Sequence, residues 1–450
     1  MKKSIFNHYF RGPEKFYVYN AFSNALAEFP DGVAENFINN NDEEYIDLLG
    51  DTVKKDMLYG GIIIENQFDE LKQLQIDMYN AKFGNSSLGI TIAPTLDCNF
   101  NCPYCFERGS RKRGNITDSV MDGIVSFVKQ NVQNLKMLSI SWYGGEPLLA
   151  MDKINAISSE LIDICDKNNI DYRSGITTNG YLLDNYTFKT LVDLKIQSIQ
   201  IPLDGDVHYH DITRRHVNGA VTFDKIIYNL KNLKDLYDTK HSILPNIALR
   251  LNSTRKNYQS MINVLDLLYK EEILNYVYPY VARVFDNNDT ENKYTLTENE
   301  FSEFERKFIT TLENVYGKQV EFSYFYPNRI TSACTCDKFN SFVIDPLGNL
   351  CKCWEEIGKS SAIIGNINHV GEDRRNNNNY YEYLLFNPLS NNQCKKCNFL
   401  PICMGGHCPL RRREKKNLNC EEQKKKLIEK LLFSFNRLGI TNVEYISEKS

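Results

Sequence analysis

Cys98, Cys102 and Cys105 stand in the pattern CxxxCxxC. Three thiolates at this spacing can hold three irons of a 4Fe–4S cube, whose full protein ligation takes four. The fourth iron would stay open to another ligand. A zinc site with a fourth ligand elsewhere fits the same triplet. A second group is larger. Nine of the thirteen cysteines fall between 334 and 420: Cys394-Lys395-Lys396-Cys397 is followed by Cys403, Cys408 and Cys420, with Cys334, Cys336, Cys351 and Cys353 upstream. Zinc knuckles are the alternative there too. Thirteen is an odd number, and no apolar stretch follows the first basic residues as in a secretory signal. A disulfide framework is therefore a poor reading, and metal binding or catalysis in a cytoplasmic protein the better one. A net charge of −4 and a pI near 6.1 exclude a generally basic nucleic-acid binder. No apolar run reaches the roughly 20 residues of a spanning helix.

The elements that position the triplet follow from periodicity. Strand patterns at 88–93, 137–142, 174–178, 196–202, 247–252 and 277–285 alternate with helical patterns at 117–132, 153–167, 185–194, 223–236 and 258–270. Alternation of this kind predicts parallel βα units, and six strands predict a partial (β/α)6 barrel where eight would close one. The triplet follows the first strand, at the end where barrel chemistry sits. Thr117 is an N-cap candidate. Five regions are expected. Residues 1–87 form a small α+β module, with strands at 16–21 and 61–65, a helix at 69–82, and the linker Phe83-Gly84-Asn85-Ser86-Ser87. Residues 88–290 form the barrel, and 291–333 contain a bridging helix at 298–316. Residues 334–420 form the cysteine-rich domain, with a turn at Asp345-Pro346-Leu347-Gly348 and a polar loop at 376–379. Residues 421–450 contain a last helix at 421–438.

Leu96-Asp97-Cys98-Asn99-Phe100-Asn101-Cys102-Pro103-Tyr104-Cys105 resembles the signature of radical SAM enzymes. Trp142-Tyr143-Gly144-Gly145-Glu146-Pro147, ending the second strand, matches their GGEP motif. The resemblance implies that Cys98, Cys102 and Cys105 carry the catalytic cluster. It also implies S-adenosylmethionine held by Tyr104, Gly144, Gly145 and Glu146. Paired glycines allow close backbone approach, and the glutamate offers an acceptor for an ammonium. Thr178 and Asn179 resemble a ribose-contacting segment. Asp204 lies in Gln200-Ile201-Pro202-Leu203-Asp204-Gly205, where relatives often carry serine in place of Pro202. His210-Asp211-Ile212-Thr213-Arg214 resembles a family HDxxR segment, whose Arg214 would hold a ribose or carboxylate. Arg250 and Asn252 are further cofactor candidates. Taken singly, each of these segments also fits a surface turn or a buried hydrogen-bonding role.

The C-terminal cysteines resemble the SPASM extension with two auxiliary 4Fe–4S clusters. By motif position Cys394, Cys397, Cys403 and Cys420 would hold one cluster. Cys353, Cys408 and one or both of Cys334 and Cys336 would hold the other. Four residues, including His407, separate Cys403 from Cys408, where relatives have three. Cys165 and Cys351 are expected to be packing residues, and Arg411-Arg412-Arg413 and Lys424-Lys425-Lys426 solvated faces.

The resemblance implies reductive cleavage of S-adenosylmethionine to a 5′-deoxyadenosyl radical, with an electron from a flavodoxin- or ferredoxin-type partner. Two subclasses compete. Anaerobic sulfatase maturases form formylglycine and carry an acid after the cysteine matching Cys353, where this chain has Trp354. Maturases of ribosomally made peptides often carry a leader-recognition module where this chain has 1–87. The expectation is modification of a precursor peptide, most simply by a thioether cross-link. A non-catalytic iron–sulfur electron carrier is the reading from another class.

Overall fold

The computed structural model describes the chain except residues 30–31, 40–44, 47–48, 108–113, 240–243, 285–293, 333, 370–376, 407, 411–419 and 447–450. His407, Arg411 to Arg413 and residue 376 thus lie outside the described residues, and Asn378–Leu384 is a helix where a polar loop was expected over 376–379. The chain divides into two compact units. One comprises Met1–Phe83, Val320–Lys338 and Leu384–Ser450, and the other Gly84–Gln319 and Phe339–Tyr383.

The first unit is built on a hairpin. Its strands in chain order are β1 (Lys2–Lys3), β2 (Asn7–Arg11), β3 (Phe16–Asn20), β4 (Leu26–Glu28) and β5 (Ile63–Ile64). β1 pairs with β5. The strand Glu444–Ile446, β2, β3 and β4 form a separate antiparallel sheet in that order. Side chains alternate across it. Phe10, Tyr17 and Tyr19 pack with Leu74 and Met78 of the helix Glu70–Phe83, with Leu400, and with Leu431 and Phe435 of the helix Cys420–Arg437. Tyr9 and Val18 on the other face pack with Phe29, Phe37 and Ile63. The sheet is buried on both faces, so β2 shows no polar–apolar alternation and periodicity does not reveal it. Lys82 is buried, and its ammonium donates to the carbonyls of Leu384 and Phe386.

The second unit holds a nine-stranded sheet. Its first six strands are β6 (Ser87–Ile92), β7 (Met137–Trp142), β8 (Asp171–Thr177), β9 (Ser198–Leu203), β10 (Asn246–Ser253) and β11 (Val277–Arg283). They are parallel and neighbour one another in sequence order. That is the expected run of six βα units. On the other edge of β6 the sheet continues through β12 (Ser341–Ile344, parallel), β13 (Asn349–Cys351) and β14 (Gly365–Asn366), both antiparallel. The expected turn joins β12 to β13: Asp345 Oδ1 accepts from the amides of Leu347 and Asn349. Along β6, Leu88, Ile90 and Ile92 are buried, whereas Gly89 and Thr91 are partly accessible. Ser141 of β7 and Gly175 and Thr177 of β8 share the accessible face, which is small and polar.

Thr117 caps the helix Asp118–Asn131 by accepting from the Val120 amide, as expected. Two helical details differ from the sequence reading. The helix expected over 223–236 ends at Lys231 and resumes as Lys234–Thr239, with the weak helix former Asn232 at the break. A short helix, Val207–Thr213, capped by Asp206, precedes it. At seven residues it is too short to show a period.

Candidate active site

The loop after β6 carries the cysteine triplet, and the paired glycines hold it. The Gly145 amide donates to the Thr95 carbonyl (3.2 Å) and the Glu146 amide to the Asp97 carbonyl (2.8 Å). A Cβ on Gly145 would stand 2.1 Å from the Asp97 carbonyl oxygen, and one on Gly144 (φ +120°) 2.5 Å from that of Thr95. The motif needs glycine because two backbones touch there. On its other side the loop is tied by Asn101 N–H to the Arg215 carbonyl (2.9 Å) and by Val217 N–H to the Asn99 carbonyl (2.8 Å).

Glu146 is completely buried. Its Oε1 accepts from the Leu148 amide (3.0 Å) and the Thr178 hydroxyl (2.6 Å), and its Oε2 from the Asn179 amide (2.7 Å). Burial raises its pKa, opposed by these three donors. The carboxylate thus locks the end of β7 to the end of β8. Asn179 continues the tie, its side-chain amide donating to Asn99 Oδ1 (2.7 Å) on the cysteine loop.

Four other cofactor candidates meet in one network. Asp204 accepts from the Tyr104 hydroxyl, from Thr213 Oγ1 (2.8 Å) and from Asn252 Nδ2 (3.0 Å). Arg214 donates to the Tyr104 hydroxyl (2.9 Å) and stands 3.9 Å from the Asp204 carboxylate. The buried Arg214 Nε has no hydrogen-bond partner among the described residues, so this network keeps an open donor. The HDxxR segment divides its labour. His210 is buried and neutral, its pKa lowered to about 4 by burial first and then by the Arg214 charge, and its Nδ1 accepts from the Asp204 amide. Asp211 accepts from the Thr222 and Phe223 amides and starts the next helix. Arg250 reaches this network through Asn252, donating from Nε to Asn252 Oδ1 (3.0 Å). Sequence reasoning passed over Thr213, Asn99 and Asn257, whose side-chain amide donates to the carbonyls of Asp204 (2.9 Å) and Asn252 (3.0 Å). Thr213 and Asn99 stand inside motif segments, whereas Asn257 carries no signal of its own.

An aromatic stack rises beside the triplet. Tyr143 is stacked between Phe106 (centroids 6.5 Å, 11°) and Trp354 (5.8 Å, 21°). Burial raises the Tyr143 phenol, and Glu107, Cys105 and Glu355 raise it further against Arg250. It keeps its proton at neutral pH.

No cysteine is in a disulfide. Among the described residues no three His, Cys, Asp or Glu side chains already stand as a metal-ligating group. The donor chemistry nonetheless fits iron–sulfur clusters. The Phe100 amide donates to Cys98 Sγ (3.4 Å), the kind of bond that supports a cluster ligand. In the first unit, burial raises the thiol pKa of Cys394, Cys397 and Cys403, the last to about 12. Charge on neighbouring cysteines, Cys420 included, raises each further. A cationic centre would offset both burial and this repulsion and let the thiols bind as thiolates. Cys334 and Cys336 are hydrogen-bonded to each other, which lowers the Cys334 thiol to about 6. Cys165 and Cys351 are buried, Cys351 against Ala93, Leu96, Val343 and Ile357.

Residues 92–247 match the radical SAM superfamily. The chain carries a radical SAM domain. A cysteine-type anaerobic sulfatase-maturating enzyme of Clostridium perfringens is 23% identical over 352 residues, covering 71% of this chain and 88% of that protein. The radical SAM cyclopropyl synthase TigE of Paramaledivibacter caminithermalis is 24% identical over 396 residues, covering 81% and 78%. The structure of native anSMEcpe with bound AdoMet and Cp18Cys peptide shares the fold at a TM-score of 0.59, with 22% identity and coverage of 78% and 98%. That of Streptococcus suis SuiB bound to precursor peptide SuiA does so at 0.52, with 17% identity and coverage of 92% and 97%. The residues matched to the radical SAM domain include the triplet, the paired glycines and the HDxxR segment. Among the described residues no helix is long and apolar enough to cross a membrane.

Proposed function

We propose that this enzyme modifies a ribosomally made precursor peptide in the cytoplasm and joins a cysteine sulfur to carbon. Relatives named as sulfatase maturases, a cyclopropyl synthase and a precursor-bound enzyme support a peptide substrate. A cluster on Cys98, Cys102 and Cys105 supplies the electron that cleaves S-adenosylmethionine. Tyr104, Asp204, Arg214 and Asn252 bind and orient the cofactor, with the open Arg214 Nε as a donor to it. Gly144 and Gly145 fix the loop, and Glu146 positions Thr178 and Asn179. Cys394, Cys397, Cys403 and Cys420 would hold one auxiliary cluster, and Cys353, Cys408 and one or both of Cys334 and Cys336 the other. The β4 edge is the leader-docking strand, by β-augmentation.

The observation that carries the choice of bond is Trp354. Its indole lies on Tyr143, and neither ring offers a base to an oxidising side chain. An auxiliary cluster held by Cys353, Cys408 and one or both of Cys334 and Cys336 would, with an iron left open, supply the acidity that a substrate thiol needs, so that no protein base would be required. Glu355 favours a second reading, formylglycine formation. It adjoins Trp354, its charge acts on Tyr143, and it has no ion pair or hydrogen bond among the described residues. Mass spectrometry of precursor treated with enzyme, S-adenosylmethionine and reductant decides. Loss of two hydrogens per cross-link, with cysteines no longer alkylated, is expected. A hydrazine-reactive carbonyl at a single Cys or Ser would replace this reading by the second.

A further inference from the structure

The cysteine loop has an outer wall. Residues 99–101 are hydrogen-bonded to 215–217 as described, and Phe100 faces His216 in an isolated antiparallel bridge. Segment 214–222 is fixed from beneath. Thr222 Oγ1 donates to the Arg214 carbonyl (2.6 Å), Asp211 accepts from Thr222 and Phe223, and the His216 amide closes a turn onto the Ala220 carbonyl (3.1 Å). The outward side is apolar where nothing in the core requires it. Ile212 is 56% exposed, and Val217 and Val221 are each 59% exposed. Beside them Arg215 is exposed. Its Nε donates to the Asp211 carbonyl (2.8 Å), and it has no carboxylate partner among the described residues.

Single exposed aliphatic residues are ordinary. Val217 and Val221, on a segment bonded directly to the cysteine loop, together with Ile212 at the end of the preceding helix and Arg215, which has no carboxylate partner among the described residues, are the groups available there for docking. We propose that this surface receives the electron donor, a small acidic redox protein of flavodoxin or ferredoxin type. The occupant follows from position and charge. Radical chemistry at the triplet takes one low-potential electron from outside the chain. Here the triplet loop is separated from the surface by one backbone-paired segment, so a donor seated on it has a short path. Weak redox encounters bury little area and combine apolar contact with charge steering. Arg215 supplies the positive charge on this segment. In the step itself one electron leaves a flavin hydroquinone, which becomes semiquinone, and passes to the cluster. No bond forms or breaks.

The inference rests on the radical SAM reading and not on which peptide bond chemistry follows. The test uses reconstituted full-length enzyme, a purified flavodoxin, and dithionite as the small-molecule control. Val217→Glu/Val221→Glu and Arg215→Glu should each weaken flavodoxin binding by calorimetry about tenfold or more and slow flavodoxin-driven 5′-deoxyadenosine formation equally. Dithionite-driven formation should stay at the wild-type rate. Added salt should weaken the wild-type complex more than that of Arg215→Glu. The milder Val217→Ser/Val221→Ser guards against misfolding and should move the same way by less. Unchanged flavodoxin binding in all variants, or equal loss with both reductants, overturns the docking site. Wild-type enzyme inactive with dithionite would instead overturn the radical chemistry.

Discussion

Replacing Phe10 by Ala should open the cysteine loop of the first unit without touching the barrel. The ring is fully buried, 4.9 Å between centroids from Phe435 and 5.4 Å from Tyr445. Cys394, Cys397 and Cys403 pack against the same core. Deleting such a ring costs ~3–5 kcal/mol. At about 1.4 kcal/mol per decade, the locally opened population rises roughly 10²- to 10⁴-fold. Thiol labelling of cluster-free protein, mapped by mass spectrometry, reads this directly. Labelling at Cys394, Cys397 and Cys403 should accelerate by that factor, while Cys165, buried in the other unit, keeps its rate. Reconstituted Phe10→Ala should hold about four irons fewer than the about twelve expected of three clusters. Unchanged labelling at the three thiols, or equal acceleration at Cys165, would refute the shared core. The same argument bears on deletion of 1–83, which would strip Leu400, Leu431 and Phe435 of their partners. That truncation should lose an auxiliary cluster besides any leader binding.

Gly145→Ala should weaken S-adenosylmethionine binding by about tenfold or more, because its Cβ can fit only if the cysteine loop moves. Gly89→Ala, with nothing nearer than 3.6 Å, is the control that calorimetry should find unchanged. Replacing Cys98, Cys102 and Cys105 together by Ala should abolish 5′-deoxyadenosine formation and remove about four irons; full iron content would contradict the assignment. His8 and His210 are buried neutral, with pKa values lowered from 6.5 to about 3 and about 4, burial being the main cause. The unfolded chain therefore binds protons first, and stability is lost as pH falls below about 6.5. For His210 the loss approaches about 3 kcal/mol, from 6.5 to about 4 at about 1.4 kcal/mol per unit. The urea midpoint of cluster-free protein should fall between about pH 7 and about pH 5, and a flat profile would contradict this.

The barrel was legible because its six strands and the helices between them repeat a simple alternation, and because the triplet and the paired glycines sit at strand ends. Glu146 shows what such reading leaves out. Residue type suggested an acceptor for an ammonium, while three protein donors occupy the carboxylate. Only the convergence of β7 and β8 brings them together. His210 and Asp211 are similar. The motif names them, but that one supports Asp204 and the other caps a helix depends on a seven-residue helix with no readable period. β2 was missed because both its faces are buried.

The sheet of the first unit joins β2 to Glu444–Ile446, and His8 meets Tyr445 across 437 residues of chain. On a ribosome adding about 5–20 residues per second, β2 waits about 20–90 s for that neighbour. Through that interval one edge of the hairpin, with Phe10 and Tyr17 beside it, is open to any passing strand. Yield of soluble protein should therefore depend on translation speed and on holdase chaperones more than on the final stability of the fold. A segment appended after residue 450 would act at the moment this sheet closes.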